Sequence, residues 1–216
     1  MRSNLIKRVL SSIILLPIVF FLIIDGGNYF ELFLVIIFLI TCYEWHILSK
    51  KNYFYFLGYF FFILSFYSAF YLRTIINDEY KYLLSVVIIC IFTDIGGYFF
   101  GKIFKGPKIG KISPNKTYSG IFGGYFSSFF FLYLIYETKL LTSSYLILDY
   151  KFFIFIALVS SVSQGGDLII SYFKRLSNIK DTGIIIPGHG GILDRIDGMI
   201  FAIPFSFVLL KIQIFY

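Results

Sequence analysis

Apolar runs close to or longer than the ~18 residues needed to cross a bilayer recur along this chain, and they constrain its fold more than any other feature. A chain crossing hydrocarbon must satisfy its backbone polar groups internally, which for runs of this length means helices. The charged content of 14% is well below the ~25% usual for soluble domains. The sequence therefore reads as an all-α polytopic membrane protein. Its 29 Phe and 18 Tyr invite a cofactor reading. Their company of Ile, Lys and Asn, with alanine confined to Ala69, Ala157 and Ala202, instead fits AT-rich coding bias acting on lipid-facing positions. Cys42 and Cys90 lie inside apolar runs and read as small core residues, with no paired spacing for a disulfide or a metal.

The runs predict seven spans, within a range of six to eight. The first ends near Ile24 and is an uncleaved helix rather than a signal peptide, because no small-residue cleavage site follows it. The others are expected near Tyr29–Leu48, Tyr53–Leu72, Tyr82–Phe100, Ser119–Tyr136, Phe152–Phe173 and Asp197–Phe215. With the N-terminus in the cytoplasm, that side receives Arg2, Lys7, Arg8, Lys50, Lys51, Lys102, Lys105, Lys108, Lys111, Lys116, Lys174, Arg175, Lys180 and Arg195. The opposite side receives Arg73, Lys81, Lys139, Lys151 and Lys211. This asymmetry follows the positive-inside rule and places both polar loops where nucleotides are found. The chain reads as one membrane domain, with residues 1–80 as scaffold and 82–216 as the catalytic portion. Topology accounts for the basic excess, so no nucleic-acid partner is expected.

Four polar groupings stand out. Asp94 lies in the apolar span before Gly96-Gly97-Tyr98, where a carboxylate is costly and points to function; an alternative is a wetted helix end paired with Lys102. Gly97 and Gly101, four apart, suit close helix packing. Gly110 to Thr117 approaches a P-loop, but Asn115 replaces the second glycine and no strand precedes it. Its Ser113-Pro114-Asn115-Lys116-Thr117 grouping still suits phosphate oxygens. Asp167, Ser171 and Lys174 or Arg175 share one helical stripe, with the two cations at the helix C-terminus, where the macrodipole favours them.

The last grouping runs from Lys180-Asp181 through Gly188-His189-Gly190-Gly191 to Asp194-Arg195-Ile196-Asp197. Asp194 and Asp197, spaced i, i+3, are expected on one face at the start of the seventh span, where carboxylates suit hard cations. The glycines around His189 allow N–H groups to converge on an anion. His46, beside Trp45, reads as an interfacial residue. Carboxylates, Mg²⁺ and basic side chains at a membrane face form the usual equipment of phosphoryl or nucleotidyl transfer.

The run Ser171-x-x-Lys174-Arg175-x4-Lys180-Asp181-x-Gly183-x-x-Ile186-Pro187-x-His189-Gly190-Gly191-x-x-Asp194-Arg195-x-Asp197 resembles the signature of phosphatidate cytidylyltransferases, also called CDP-diacylglycerol synthases. Asp94 with Gly97-Tyr98, the Ser113–Gly120 loop and Gly166-Asp167-Leu168 are similar to further blocks of that family in the same order. The resemblance covers roughly the second half of the chain. It implies transfer of a cytidylyl group from CTP to phosphatidate, giving CDP-diacylglycerol and pyrophosphate. The implied enzyme is helical, homodimeric and Mg²⁺-dependent, uses a second cation such as K⁺, and lies in the bacterial inner membrane with its site facing the cytoplasm. Asp167, Asp181, Asp194 and Asp197 would be metal-binding or polarising carboxylates, forming the catalytic set with Ser171, Lys180 and Arg195. Lys116, Lys174 and Arg175 would hold phosphates, with Asp94, Ser113, Thr117, His189, Gly190 and Gly191 also on the substrate. Family members often carry Glu where this chain has Ser119 and Ile170; with the core signature intact, those positions read as auxiliary. The rival readings are a CTP-dependent polyprenol or phytol kinase and an ion-coupled transporter. A transporter would place its charges at the bilayer midplane in paired, symmetric broken helices, whereas these crowd one face.

Overall fold

The computed structural model describes residues 15–49, 55–74, 80–110, 113, 116–141, 148–183 and 190–212. Eight helices occur among them: α1 (Leu15–Asp25), α2 (Gly27–Ser49), α3 (Tyr55–Thr74), α4 (Tyr80–Phe104), α5 (Tyr118–Glu137), α6 (Tyr150–Leu176), α7 (Leu193–Ile196) and α8 (Met199–Lys211). Helices α2 to α6 are each long and apolar enough to cross a membrane, and α1 and α8 are shorter apolar helices. At 1.5 Å per residue the described 13 residues of α8 span about 20 Å, against ~30 Å of hydrocarbon. Side chains such as Phe60 (71% exposed) and Phe122 (72%) point away from the protein, an arrangement that suits acyl chains as solvent.

Each apolar helix answers an expected span in the same order. Gly26 alone, at φ 72°, separates α1 from α2. The expected seventh span starts two residues late. Asp194 lies in the separate short turn α7, and α8 begins only at Met199. The one bridge in the described basic loop is isolated and antiparallel, Lys108 to Thr117.

The chain divides into two compact units that alternate along the sequence. The first comprises Met1–Tyr80 and Phe173–Asp197, so the signature segment packs with the N-terminal helices. Its core includes Phe30, Trp45, Leu48, Phe62 and Leu72. Trp45 is buried: its indole N–H donates to the Tyr55 carbonyl at 2.8 Å and its ring meets Phe62 and Phe173 edge-on. His46 is exposed and bonded to the Tyr59 hydroxyl. Arg73, only 7% exposed, donates to the Ile23 and Ile24 carbonyls at 2.5 and 2.9 Å, supplying partners that a helix C-terminus lacks.

The second unit comprises Lys81–Tyr172 and Gly198–Tyr216. Gly97 and Gly101 of α4 do face α5: a Cβ at Gly120 would lie 2.8 Å from the Gly97 carbonyl oxygen and 3.5 Å from the Gly101 Cα. Farther along the same two helices Phe92 and Phe131 stack at 4.1 Å. Thr93 and Ser160 share a buried hydrogen bond of 2.9 Å, and the Tyr82 hydroxyl donates to the Ser206 carbonyl at 3.0 Å. Cys90 is buried, Cys42 is half-buried, and neither is in a disulfide.

Candidate active site

In the first unit the polar residues gather on Asp194. Helix α6 ends with Asn178 at φ 55°, and the Ile179 and Asn178 N–H groups return to the carbonyls of Lys174 and Arg175. The Ser177 hydroxyl donates to the Leu48 carbonyl. The chain thus reverses immediately, bringing residues 180–183 back beside α7. Lys174 Nζ donates to Asp194 Oδ1 at 2.9 Å, with both side chains largely buried (13% and 6% exposed). Asp194 Oδ2 accepts from the N–H groups of Thr182 at 2.8 Å and Gly191 at 3.0 Å. Gly190 adopts φ 85°, in the left-handed region that favours glycine. A Cβ built there would sit 2.8 Å from Asp194 Oδ2 and 3.6 Å from the Asp181 carboxyl carbon, so these two carboxylates flank the same glycine. Asp181, Arg175, Lys180 and Arg195 are exposed around this centre, and Asp197 is 7% exposed.

A residue that the sequence reasoning passed over supports this arrangement. Helix α7 has no side-chain cap of its own, and the first N–H groups of a helix need external acceptors. Glu44 of α2, 1% exposed, supplies them: Oε1 accepts from Ile192 N–H at 2.9 Å and Oε2 from Leu193 N–H at 2.8 Å. Oε2 also accepts from the Thr182 hydroxyl at 3.0 Å. The available signal was an acidic residue within an apolar run, the same signal that marked Asp94 and Asp167.

In the second unit Lys116 Nζ contacts Asp167 Oδ2 at 2.5 Å and donates to the Gln164 carbonyl at 3.4 Å. The Ser171 hydroxyl, one turn along α6, donates to Asp167 Oδ1 at 3.2 Å. The Lys116 N–H donates to the Ser113 carbonyl at 3.1 Å. Thr117 is the N-cap of α5 and accepts from the Gly120 N–H at 3.1 Å. Ser119 bonds Thr117 and the Lys105 carbonyl, and Ile170 is buried (2% exposed). Asp94 is exposed on α4, and Lys102 lies against the Tyr98 ring and hydroxyl. His189 lies outside the described residues. Helix α6 supplies Asp167 and Ser171 to the second unit's cluster and Lys174 to the first.

Among the described residues no three His, Cys, Asp or Glu side chains gather as a cation cage. Mg²⁺ rarely needs one, since it usually keeps several waters and binds one or two carboxylates together with substrate phosphates. Asp181 and Asp194 beside Gly190 fit that demand.

The helices and these charge clusters define an all-α polytopic membrane protein that presents paired carboxylates and ammonium groups, the equipment of a phosphate-handling transferase. The chain belongs to the cytidylyltransferase family, whose model matches residues 48–213. It is 32% identical to the phosphatidate cytidylyltransferase of Rickettsia typhi over 216 residues, covering 95% of this chain and 92% of that protein. The Rickettsia felis protein of the same name is 31% identical, at 96% and 93% coverage. That of Staphylococcus aureus is 38% identical over 136 residues, covering 62% of this chain and 50% of its own length.

Proposed function

We propose that this protein transfers the cytidylyl group of CTP to phosphatidate, releasing pyrophosphate and forming CDP-diacylglycerol at the cytoplasmic face of a bacterial inner membrane. The observation that carries this reading is the Asp194 centre. The signature segment folds onto one carboxylate, which Lys174 neutralises and two backbone N–H groups hold in place, while Arg175, Lys180 and Arg195 stay exposed for phosphates. Family membership and the names of the Rickettsia relatives support the substrate pair.

The chemistry asks little of a general base. A phosphate monoester is already largely dianionic at neutral pH, its second pKa being about 6. A phosphatidate oxygen attacks the α-phosphorus of CTP. The bond from that phosphorus to the α–β bridging oxygen breaks, and pyrophosphate leaves with the electron pair. The protein's task is to bring two polyanions together and neutralise the charge they accumulate. Arg175, Lys180 and Arg195 are assigned to the triphosphate and the departing pyrophosphate; in the second unit, Lys116 is assigned to phosphate binding, with Asp167 and Ser171 as its neighbours. When bound, Mg²⁺ would supply charge stabilisation at the α-phosphorus and the leaving group, with Asp181 and Asp194 as the residues to hold it.

Purified protein with Mg²⁺, α- or γ-labelled CTP, and either phosphatidate or a polyprenol tests the reading. Label from the α-position should enter a CMP-lipid only with phosphatidate. Label from the γ-position in the lipid would replace the reading with a CTP-dependent kinase.

A further inference from the structure

We propose that Glu44 is a positioning residue of the transfer reaction: its carboxylate sets the Asp181 and Asp194 carboxylates in their working geometry from a helix outside the signature. This rests on the cytidylyl-transfer reading above. Glu44 also precedes residues 48–213, which carry the family match.

The backbone and hydroxyl donors here are shared between Glu44 and Asp194. Two carboxylates grip the same two stretches of chain. At residue 182, the threonine donates its N–H to Asp194 and its hydroxyl to Glu44. At the turn into α7, Gly191 N–H goes to Asp194, while the next two N–H groups, Ile192 and Leu193, go to Glu44. Each stretch is therefore tied to both carboxylates, and the position of Asp194 follows that of Glu44. The local sequence leaves room for this grip. A Cβ at Gly183 would lie 2.6 Å from Glu44 Oε1, and one at Gly191 would overlap Glu44 Oε2 and the Thr182 hydroxyl. Glu44 touches no substrate in this scheme; it acts through Asp194 and Asp181.

Size-preserving substitution separates positioning from bulk packing. Glu44→Gln keeps the volume but turns an amide N–H toward the Ile192 N–H or toward the Leu193 N–H and Thr182 hydroxyl. The full chain in detergent, wild type against Glu44→Gln, is followed by hydrogen exchange and by steady-state kinetics. Thr182→Val is the milder variant, removing one of the three donors to Glu44, and exposed Glu31→Gln on the same helix is the control.

Exchange in the 190–197 peptide should accelerate at least about tenfold in Glu44→Gln while α4 and α5 peptides stay unchanged. The kcat should fall about 10- to 100-fold, the range typical when a supporting residue of a metal or catalytic site is removed. The KM for CTP should move less than about threefold and the Mg²⁺ concentration for half-maximal rate should rise; Thr182→Val should move each quantity in the same direction by less. Unchanged exchange at 190–197 would overturn the proposal. So would a rate loss that only tracks the amount of folded protein, with the Mg²⁺ requirement unmoved. Should wild type transfer no cytidylyl group to phosphatidate, the functional reading falls, and the exchange comparison still decides whether Glu44 holds the turn.

Discussion

Asp194→Asn is the most informative single change, because it removes one charge at constant volume from a carboxylate with three partners among the described residues. The carboxylate accepts from Lys174 through one oxygen and from two backbone N–H groups through the other. Asparagine has one acceptor oxygen, so its NH₂ must face either the ammonium or the two N–H groups. The better orientation keeps oxygen on the backbone and loses the bond to Lys174. A hydrogen bond to a charged group is worth about 1.5–3 kcal/mol, and an unsatisfied buried donor costs about 1–3 kcal/mol more. The expected loss of stability is about 3–4 kcal/mol, toward the low end for a broken buried pair because Lys174 keeps some solvent access. Lys174→Met alone should cost about 2 kcal/mol, and the double variant no more than Asp194→Asn, a coupling of about 2 kcal/mol. Domains typically have 5–15 kcal/mol in hand, so the protein should insert and fold while turnover falls by at least about a thousandfold, the removal of about 4 kcal/mol of transition-state stabilisation. Mixed-micelle unfolding and CMP-lipid formation from α-labelled CTP measure the two effects. Near-normal turnover in Asp194→Asn would remove its catalytic assignment, and additive stability losses would remove the ion pair.

Lys116→Met should slow cytidylyl transfer about tenfold or more, and Asp167→Asn added to it should cost little further, since the two groups neutralise each other; a double-variant rate cycle checks this. Thr117→Val removes the α5 N-cap and should cost about 1 kcal/mol, lowering Tm by about 2–4 °C in a detergent melting scan. Gly190→Ala, at φ 85° and with its Cβ directed at Asp194, should lose activity together with about 1–2 kcal/mol of stability. Gly110→Ala, with open space around the added methyl, should match wild type in the same assays. Chelation with EDTA should abolish transfer and Mg²⁺ should restore it; activity that survives exhaustive chelation would remove the assignment of Asp181 and Asp194 to a cation.

The bundle was readable because membrane helices announce themselves by length and polarity, and α2 to α6 begin and end within a few residues of the expected spans. Charge placement singled out Lys174, Asp194, Lys116 and Asp167 but not how they pair. Lys174 with Asp194, and Lys116 with Asp167, meet through chain reversals whose geometry depends on Asn178 adopting φ 55° and on the Thr117 cap. Local patterning does not encode such closures. Asp194 and Asp197 were expected to open one helix; the structure instead places Asp194 in α7 and starts α8 at Met199. Glu44 went unread because Tyr43, Trp45 and His46 around it resemble an interfacial belt. The indole is in fact buried against Phe62 and Phe173, and the Glu44 carboxylate is buried as well.

The grip of Glu44 on α7 also sets an order of events during synthesis. Glu44 and Thr182 are 138 residues apart, which at 5–20 residues per second is a delay of roughly 7–28 s on the ribosome. Through that interval α2 carries a carboxylate within an apolar helix while the segment that supplies its three donors has not yet been made. Docking of the signature segment is thus a late step that closes a polar gap left open from the start. A chain halted before residue 182 would keep that gap.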